Sequence, residues 1–235
     1  MVIRSNRSRR YFWQCRELKT PLTEQHFDLG YWRNTPDYSE LSGGRGATAR
    51  ITVEDRAVIL RRYYRGGLVS KLLTDQYLWL GRSRTRPWRE CRALEHAYHQ
   101  GLPVPQPIAA YVCRQAGWYR AAIMTEYIAN TETLAARLRV AGAASTIWEQ
   151  LGQLIRQLHE ARICHPDLNL TNILIDDVNR LYLIDFDRAR VRSRLGDWQW
   201  GALHRLKRSL DKFNRRYRPD HAEDDWQVLM DGYQG

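Results

Sequence analysis

The side chains best suited to chemistry lie in two short stretches, His165-Pro-Asp167-Leu-Asn-Leu-Thr-Asn172 and Asp185-Phe-Asp187. Two apolar runs separate them, Ile173–Ile175 and Leu181–Ile184, with Asp176-Asp-Val-Asn179 as the turn between. A hairpin returns the chain to its starting end. Asp167, Asn172 and Asp185 are therefore expected to converge. An amide oxygen and a carboxylate are hard ligands that suit Mg²⁺. A further carboxylate a few ångströms away can accept a hydroxyl proton. Metal clamp and base together are a kit for phosphoryl transfer, in which the protein mainly positions groups and stabilises charge.

The elements that must hold this kit are legible as a strand-rich region followed by a helical one. Leu41–Ala47 reads as a glycine turn, followed by strands at Ile51–Val53 and Ala57–Tyr64. Arg65-Gly66-Gly67 ends the second strand, residues 68–82 read as a short helix, and Arg84–Pro87 as a break. Trp88, Cys91, Leu94 and Ala97 then mark a helix to His99, stopped by Gly101–Pro107. Strands follow at Ile108–Cys113 and Tyr119–Ile128. Beyond a hinge near Glu126–Asn130, Ile147, Leu151, Leu154, Ile155 and Leu158 line one face of an amphipathic helix that ends near Glu160. Helices are again expected around Leu195–Phe213 and Ala222–Met230, while residues 1–35 give no clear pattern.

The chain has 235 residues, 43% hydrophobic and 27% charged, a globular balance. Lys+Arg is 37 against 26 for Asp+Glu, a formal charge of +11. Only Lys19, Lys71, Lys207 and Lys212 are lysines, so the excess is arginine, which forks onto phosphate and carboxylate. An anionic partner is expected: nucleic acid, an anionic membrane or a phosphorylated substrate. No apolar run is long enough for a membrane-spanning helix, and MVIRSNRSRRYFWQC lacks the apolar core of a secretory signal. Cys15, Cys91, Cys113 and Cys164 lie far apart, so a reducing cytosol is expected rather than a disulfide framework or zinc knuckle.

The two stretches resemble the catalytic loop H-R-D-x-x-x-x-N and the metal-binding D-F-G of the protein kinase-like superfamily, with Asp187 in place of the glycine. The resemblance implies an α+β, bilobal kinase-like fold. Its lobes would be a β-rich nucleotide-binding lobe over residues 1–128 and a reduced helical catalytic lobe over 129–235. It implies ATP and Mg²⁺, with Asp167 as base and Asn172 and Asp185 as metal ligands. Upstream, Gly44-Arg-Gly46-Ala-Thr-Ala49-Arg-Ile51 resembles the phosphate-cradling loop, with Ala49 for its third glycine. Arg61 stands where the kinase lysine is expected, and Lys71 is its rival for the phosphates. Glu90 is the expected ion-pair partner of Arg61, with Glu95 the alternative. The backbone of Glu126 to Ile128 is placed to bond adenine. Only 50 residues follow Asp185 and no A-P-E element is present, which points to a small hydroxyl acceptor rather than a peptide.

A narrower resemblance rests on Ser42–Ala47, Val58–Leu68 with its Arg-Gly-Gly, Asp75-Gln-Tyr-Leu-Trp79, Gly101–Pro105, His165–Asn172 and Ile184–Arg188. These segments are similar to the lipopolysaccharide-core kinases, and within them to those acting on 3-deoxy-D-manno-octulosonic acid (Kdo). The resemblance runs from about residue 40 to about 210. It implies ATP-dependent phosphorylation of the Kdo 4-hydroxyl on lipid IVA at the cytoplasmic face of a Gram-negative inner membrane. A Kdo-bearing lipid A precursor and peripheral contact with anionic lipid are then the expected partners, and nucleic acid is not. Arg82, Arg84 and Arg86 would meet lipid phosphates or the Kdo carboxylate, with Trp79 and Trp88 at the interface. The alternatives are a heptose kinase or other kinase-like small-molecule phosphotransferase, and a non-catalytic basic module that binds membrane or nucleic acid.

Overall fold

The computed structural model describes residues 2–6, 9–36, 38–41, 48–63, 76–141, 143–218 and 222–235. Gly44, Gly46, Lys71 and the Arg65-Gly66-Gly67 segment lie outside the described residues. The chain divides into two compact units, Met1–Cys91 with Gln106–Tyr127, and Arg92–Pro105 with Ile128–Gly235.

The first unit is built on one antiparallel sheet. Its strands are β1 (Val2–Asn6), β2 (Arg10–Gln14), β3 (Ser39–Glu40), β4 (Thr48–Val53), β5 (Arg56–Arg62), β6 (Tyr77–Leu78), β7 (Pro107–Gln115) and β8 (Trp118–Glu126). Their order is β1-β2-β7-β8-β5-β4-β3, with β6 paired to β8. β4 and β5 pair from Thr48 opposite Arg61 to Val53 opposite Arg56. Alternate residues therefore bury Ala49, Ile51, Val53, Val58 and Leu60 on one face. Phe27, Leu29 and Trp32, from a 3₁₀ turn at Glu24–Phe27 and the short helix α1 (Leu29–Trp32), join that core. The unassigned amino terminus thus supplies two strands and a cover. Phe12 and Trp13 are adjacent and both packed, so β2 carries no in–out alternation to read.

Residues 68–82 do not form the expected helix where they are described. Tyr77–Leu78 is a strand, and Arg82–Arg84 is a 3₁₀ turn. The expected break at Arg84–Pro87 is instead the start of α2 (Arg86–His99). A proline in the first helical turn removes an N–H that had no intrahelical partner.

A division at 128/129 would give all of α2 to the first unit, whereas its second half groups with the second. There the His96 Nε2–H donates to the Ala161 carbonyl at 2.9 Å, and the Leu183 N–H donates to the Pro103 carbonyl at 3.0 Å.

The second unit holds β9 (Thr131–Thr133), α3 (Leu134–Val140), α4 (Ser145–Glu160), β10 (Ile163–Cys164), β11 (Ile173–Asp176), β12 (Leu181–Leu183), β13 (Arg190–Val191), α5 (Trp198–Tyr217) and α6 (Ala222–Gln234). β12-β11-β9 form one antiparallel sheet and β10-β13 another. α3 is capped by the Thr133 hydroxyl, which accepts from the Ala136 N–H at 3.1 Å. It is seven residues long, too short for its periodicity to stand out in the sequence. α4 buries Ile147, Leu151, Leu154, Ile155 and Leu158, the face expected from their spacing, together with Trp148. It meets α6 backbone to backbone: a Cβ at Gly152 would collide with the Leu229 carbonyl oxygen, and one at Gly232 with that of Glu149.

Candidate active site

Both ends of the loop from His165 to Asn172 are tied to Ile184, the residue directly after β12. The Ile184 carbonyl lies 3.0 Å from His165 Nε2, and the Ile184 N–H donates to the Asn172 carbonyl at 3.0 Å. His165 is buried and meets Phe186 edge-on, with ring centroids 4.9 Å apart. Burial pushes the His165 pKa below its ordinary value, although Asp185 and Asp167 both lie close enough to pull it up. The ring is therefore neutral, and the Nε2 hydrogen bond to a carbonyl fixes which nitrogen carries the proton. One backbone unit clamps both ends of the loop directly before Asp185.

Inside the loop, the Asp167 carbonyl accepts from the side-chain amides of Asn169 at 2.8 Å and Asn172 at 2.9 Å. Asn169 Oδ1 in turn accepts from the Thr171 N–H at 2.9 Å and the Thr171 hydroxyl at 2.6 Å. Spending Asn172 Nδ2 within the loop leaves its Oδ1 as an outward acceptor, with no hydrogen bond among the described residues. Asp185 is exposed and sits at φ +62°. That left-handed conformation is uncommon outside glycine. An amide oxygen and an exposed carboxylate on one braced loop-and-strand suit a small hard cation that keeps phosphate or water as its other ligands. Among the described residues no cluster of three or more His, Cys, Asp or Glu forms a self-sufficient metal cage.

The Asp167 carboxylate has a partner that sequence reasoning missed. Arg205 Nη2 of α5 donates to Asp167 Oδ1 at 2.7 Å, with the two side chains 47% and 34% exposed. Ser209, one turn further along α5, accepts from the Leu170 N–H at 3.3 Å and holds the helix to the loop. Arg205 lies in the helix expected around Leu195–Phe213, but 38 residues separate it from Asp167, and no periodicity links them.

In the first unit, Arg61 meets Glu90 at 2.5 Å, and the Tyr63 hydroxyl donates to the other Glu90 oxygen. Glu90 is 2% exposed and Arg61 25%. The guanidinium also lies over the Tyr63 ring, 5.0 Å from its centroid. Of the two carboxylates expected for Arg61, the structure brings Glu90 to it. At the end of β8, the Glu126 N–H is spent on the Gln106 carbonyl at 2.9 Å and the Tyr127 N–H on that of Ala57 at 3.0 Å. The Ile128 carbonyl accepts from the Thr131 hydroxyl at 2.9 Å. Among the backbone groups of residues 126–128 expected to bond adenine, the Glu126 and Tyr127 N–H groups are thus taken, and that of Ile128 has no hydrogen bond among the described residues.

The arginine cluster divides by role. Arg86 donates to the Tyr77 hydroxyl at 2.9 Å, whereas Arg82 and Arg84 are exposed. Trp88 packs on Trp13, and Trp79 stacks on Tyr11 with ring centroids 5.3 Å apart. The exposed apolar groups here are Leu78 at 52% and Leu80 at 59%.

Comparison with known proteins bears on this geometry directly. Residues 30–233 match the model of the lipopolysaccharide kinase (Kdo/WaaP) family. The chain belongs to this family. It is similar to a protein of Actinobacillus succinogenes named 3-deoxy-D-manno-octulosonic acid kinase, 39% identical over 88% of this chain and 89% of that one. Proteins of the same name from Stenotrophomonas maltophilia and Vibrio parahaemolyticus are 42% and 34% identical. The first match covers 81% of this chain and 76% of the relative, the second 98% and 97%. Membership of a kinase family agrees with the α+β fold and with the loop that Ile184 clamps.

Proposed function

We propose that the protein is an ATP-dependent kinase that phosphorylates the 4-hydroxyl of Kdo on Kdo-lipid IVA during lipopolysaccharide inner-core synthesis. The observation that carries this reading is the double clamp of Ile184 on the His165–Asn172 loop, in a chain that matches, over most of its length, relatives named 3-deoxy-D-manno-octulosonic acid kinase. Asp167 orients the sugar hydroxyl and accepts its proton as the γ-phosphoryl group transfers in line. Neutral His165 keeps the loop fixed while that proton moves. Asn172 Oδ1 and the Asp185 carboxylate would hold Mg²⁺, which when bound neutralises phosphate charge. Arg61, held by Glu90, serves the nucleotide phosphates in place of lysine; its fork stays cationic throughout. The backbone at Glu126 to Ile128 reads adenine, and Gly44 and Gly46 belong to the phosphate loop.

The protein works at the cytoplasmic face of the inner membrane, as a peripheral enzyme. The net charge of +11 and the exposed Leu78, Leu80, Arg82 and Arg84 support this placement. No helix among the described residues is long and apolar enough to cross a membrane. The test is product analysis. Incubation with ATP and Kdo-lipid IVA should give one new phosphate ester, placed at the 4-position by NMR. A heptose-bearing lipid without Kdo should remain unmodified. Phosphorylation of heptose in place of Kdo would overturn the reading.

A further inference from the structure

α5 carries a cationic face that nothing in the loop chemistry requires. Arg205, Arg208 and Lys212 follow one another at spacings of three and four, so they share a face. They span roughly 10 Å of helix axis, the length of a disaccharide. Leu203, Leu206, Leu210 and Phe213 bury the opposite side. Arg208 and Lys212 are exposed, and neither forms an ion pair among the described residues. The row begins at the reacting group, because Arg205 holds one oxygen of Asp167 at 2.7 Å and Ser209 ties the helix to the loop. A base must touch the hydroxyl that it deprotonates. Groups in contact with Asp167 therefore lie within a sugar ring of the acceptor. A neutral hydroxyl gives no reason for two exposed cations, without an ion pair among the described residues, to follow the Asp167 partner along the helix, but an acceptor with negative charge does.

We propose that this face of α5 is the acceptor subsite. Arg208 and Lys212 receive the anionic groups of the acceptor, and Arg205 is a positioning residue that orients Asp167 toward the hydroxyl. The inference rests on the proposed activity and deepens it: the acceptor is recognised as a sugar acid on a phosphorylated lipid, through its charge. Either the sugar carboxylate or the lipid phosphates supply that charge, and both share the chemistry an arginine fork reads.

The experiment compares the full-length protein with Arg208→Ala/Lys212→Ala, Arg205→Ala and Arg205→Lys, each checked for folding by circular dichroism. Kinetics with Kdo-lipid IVA should show acceptor KM raised roughly tenfold in the double variant, with KM for ATP unmoved. Arg205→Ala should lower kcat, and Arg205→Lys should restore part of it. With a dephosphorylated acceptor, a persisting defect in the double variant assigns the contact to the carboxylate, and a vanished one assigns it to the phosphates; both support the subsite. Equal acceptor KM for the double variant and the unaltered protein, with both acceptors, would overturn it. If the unaltered protein transfers no phosphate to Kdo, the activity reading fails instead. Equilibrium binding of the same lipids in detergent micelles then decides the subsite: weaker binding by the double variant supports it, and equal binding refutes it.

Discussion

Replacing Glu90 tests how the first unit holds its cation. The carboxylate is 2% exposed and takes charge-assisted hydrogen bonds from Arg61 and the Tyr63 hydroxyl. Glu90→Gln keeps the shape but removes the charge, and it turns one acceptor oxygen into a donor facing a donor. Hydrogen bonds to charged groups are worth about 1.5–3 kcal/mol each. Arg61 is one-quarter exposed, so solvent screens part of its share. The expected loss is therefore about 2 kcal/mol. At a urea dependence of about 1–3 kcal/mol per molar, the unfolding midpoint should fall by about 1 M. Glu90→Ala removes both acceptors from a buried site and should cost about 3–5 kcal/mol. KM for ATP should rise in both variants, because Arg61 loses the carboxylate that aims it. Tryptophan fluorescence in urea and steady-state kinetics read the two effects. An unchanged midpoint and KM for ATP in Glu90→Gln would refute the reasoning and leave Glu90 as an incidental helix charge.

Other outcomes follow from the second unit. Asn172→Ala and Asp185→Asn should each raise the Mg²⁺ concentration needed for half-maximal phosphate transfer, read by titration at fixed ATP, while the folded circular dichroism spectrum persists. Burial holds the His159 pKa at about 4, below its ordinary 6.5, so the folded state keeps the ring neutral while the unfolded chain takes up a proton below about 6.5. Stability should then be full above pH 6.5 and fall as the pH drops toward 4, by on the order of 3 kcal/mol; a urea midpoint measured across that range should show the slope, and His159→Gln should flatten it. Gly152→Ala should destabilise by about 1–3 kcal/mol or more, read by thermal unfolding, because the added Cβ meets the Leu229 backbone and α4 must part from α6.

β4 and β5, the helix at Trp88–His99, α4 and the hairpin before Asp185 were legible because each buries one face and so carries its period in the sequence, while β7 and β8, buried on both faces, were legible as short apolar runs. The reactive residues were legible for another reason: Asp167, Asn172 and Asp185 lie close together along the chain, joined by one hairpin. What stayed hidden depends on distant partners. β2 is packed on both faces, so Phe12 and Trp13 sit side by side without alternation. The Arg205 ion pair with Asp167 joins the loop to α5, with the hairpin and β13 between them. The clamp by Ile184 uses backbone groups, which any residue supplies. The Gly152–Gly232 contact is backbone against backbone across two helices, and a glycine inside an amphipathic pattern gives no hint of its neighbour.

The most direct test of the central claim is transfer of labelled γ-phosphate from ATP to a Kdo-bearing lipid, by the unaltered protein and by Asp167→Ala with its folding verified. The account predicts Mg²⁺-dependent transfer by the unaltered protein and a loss of roughly 10²–10⁴-fold in the variant. Transfer at the unaltered rate by folded Asp167→Ala would contradict it.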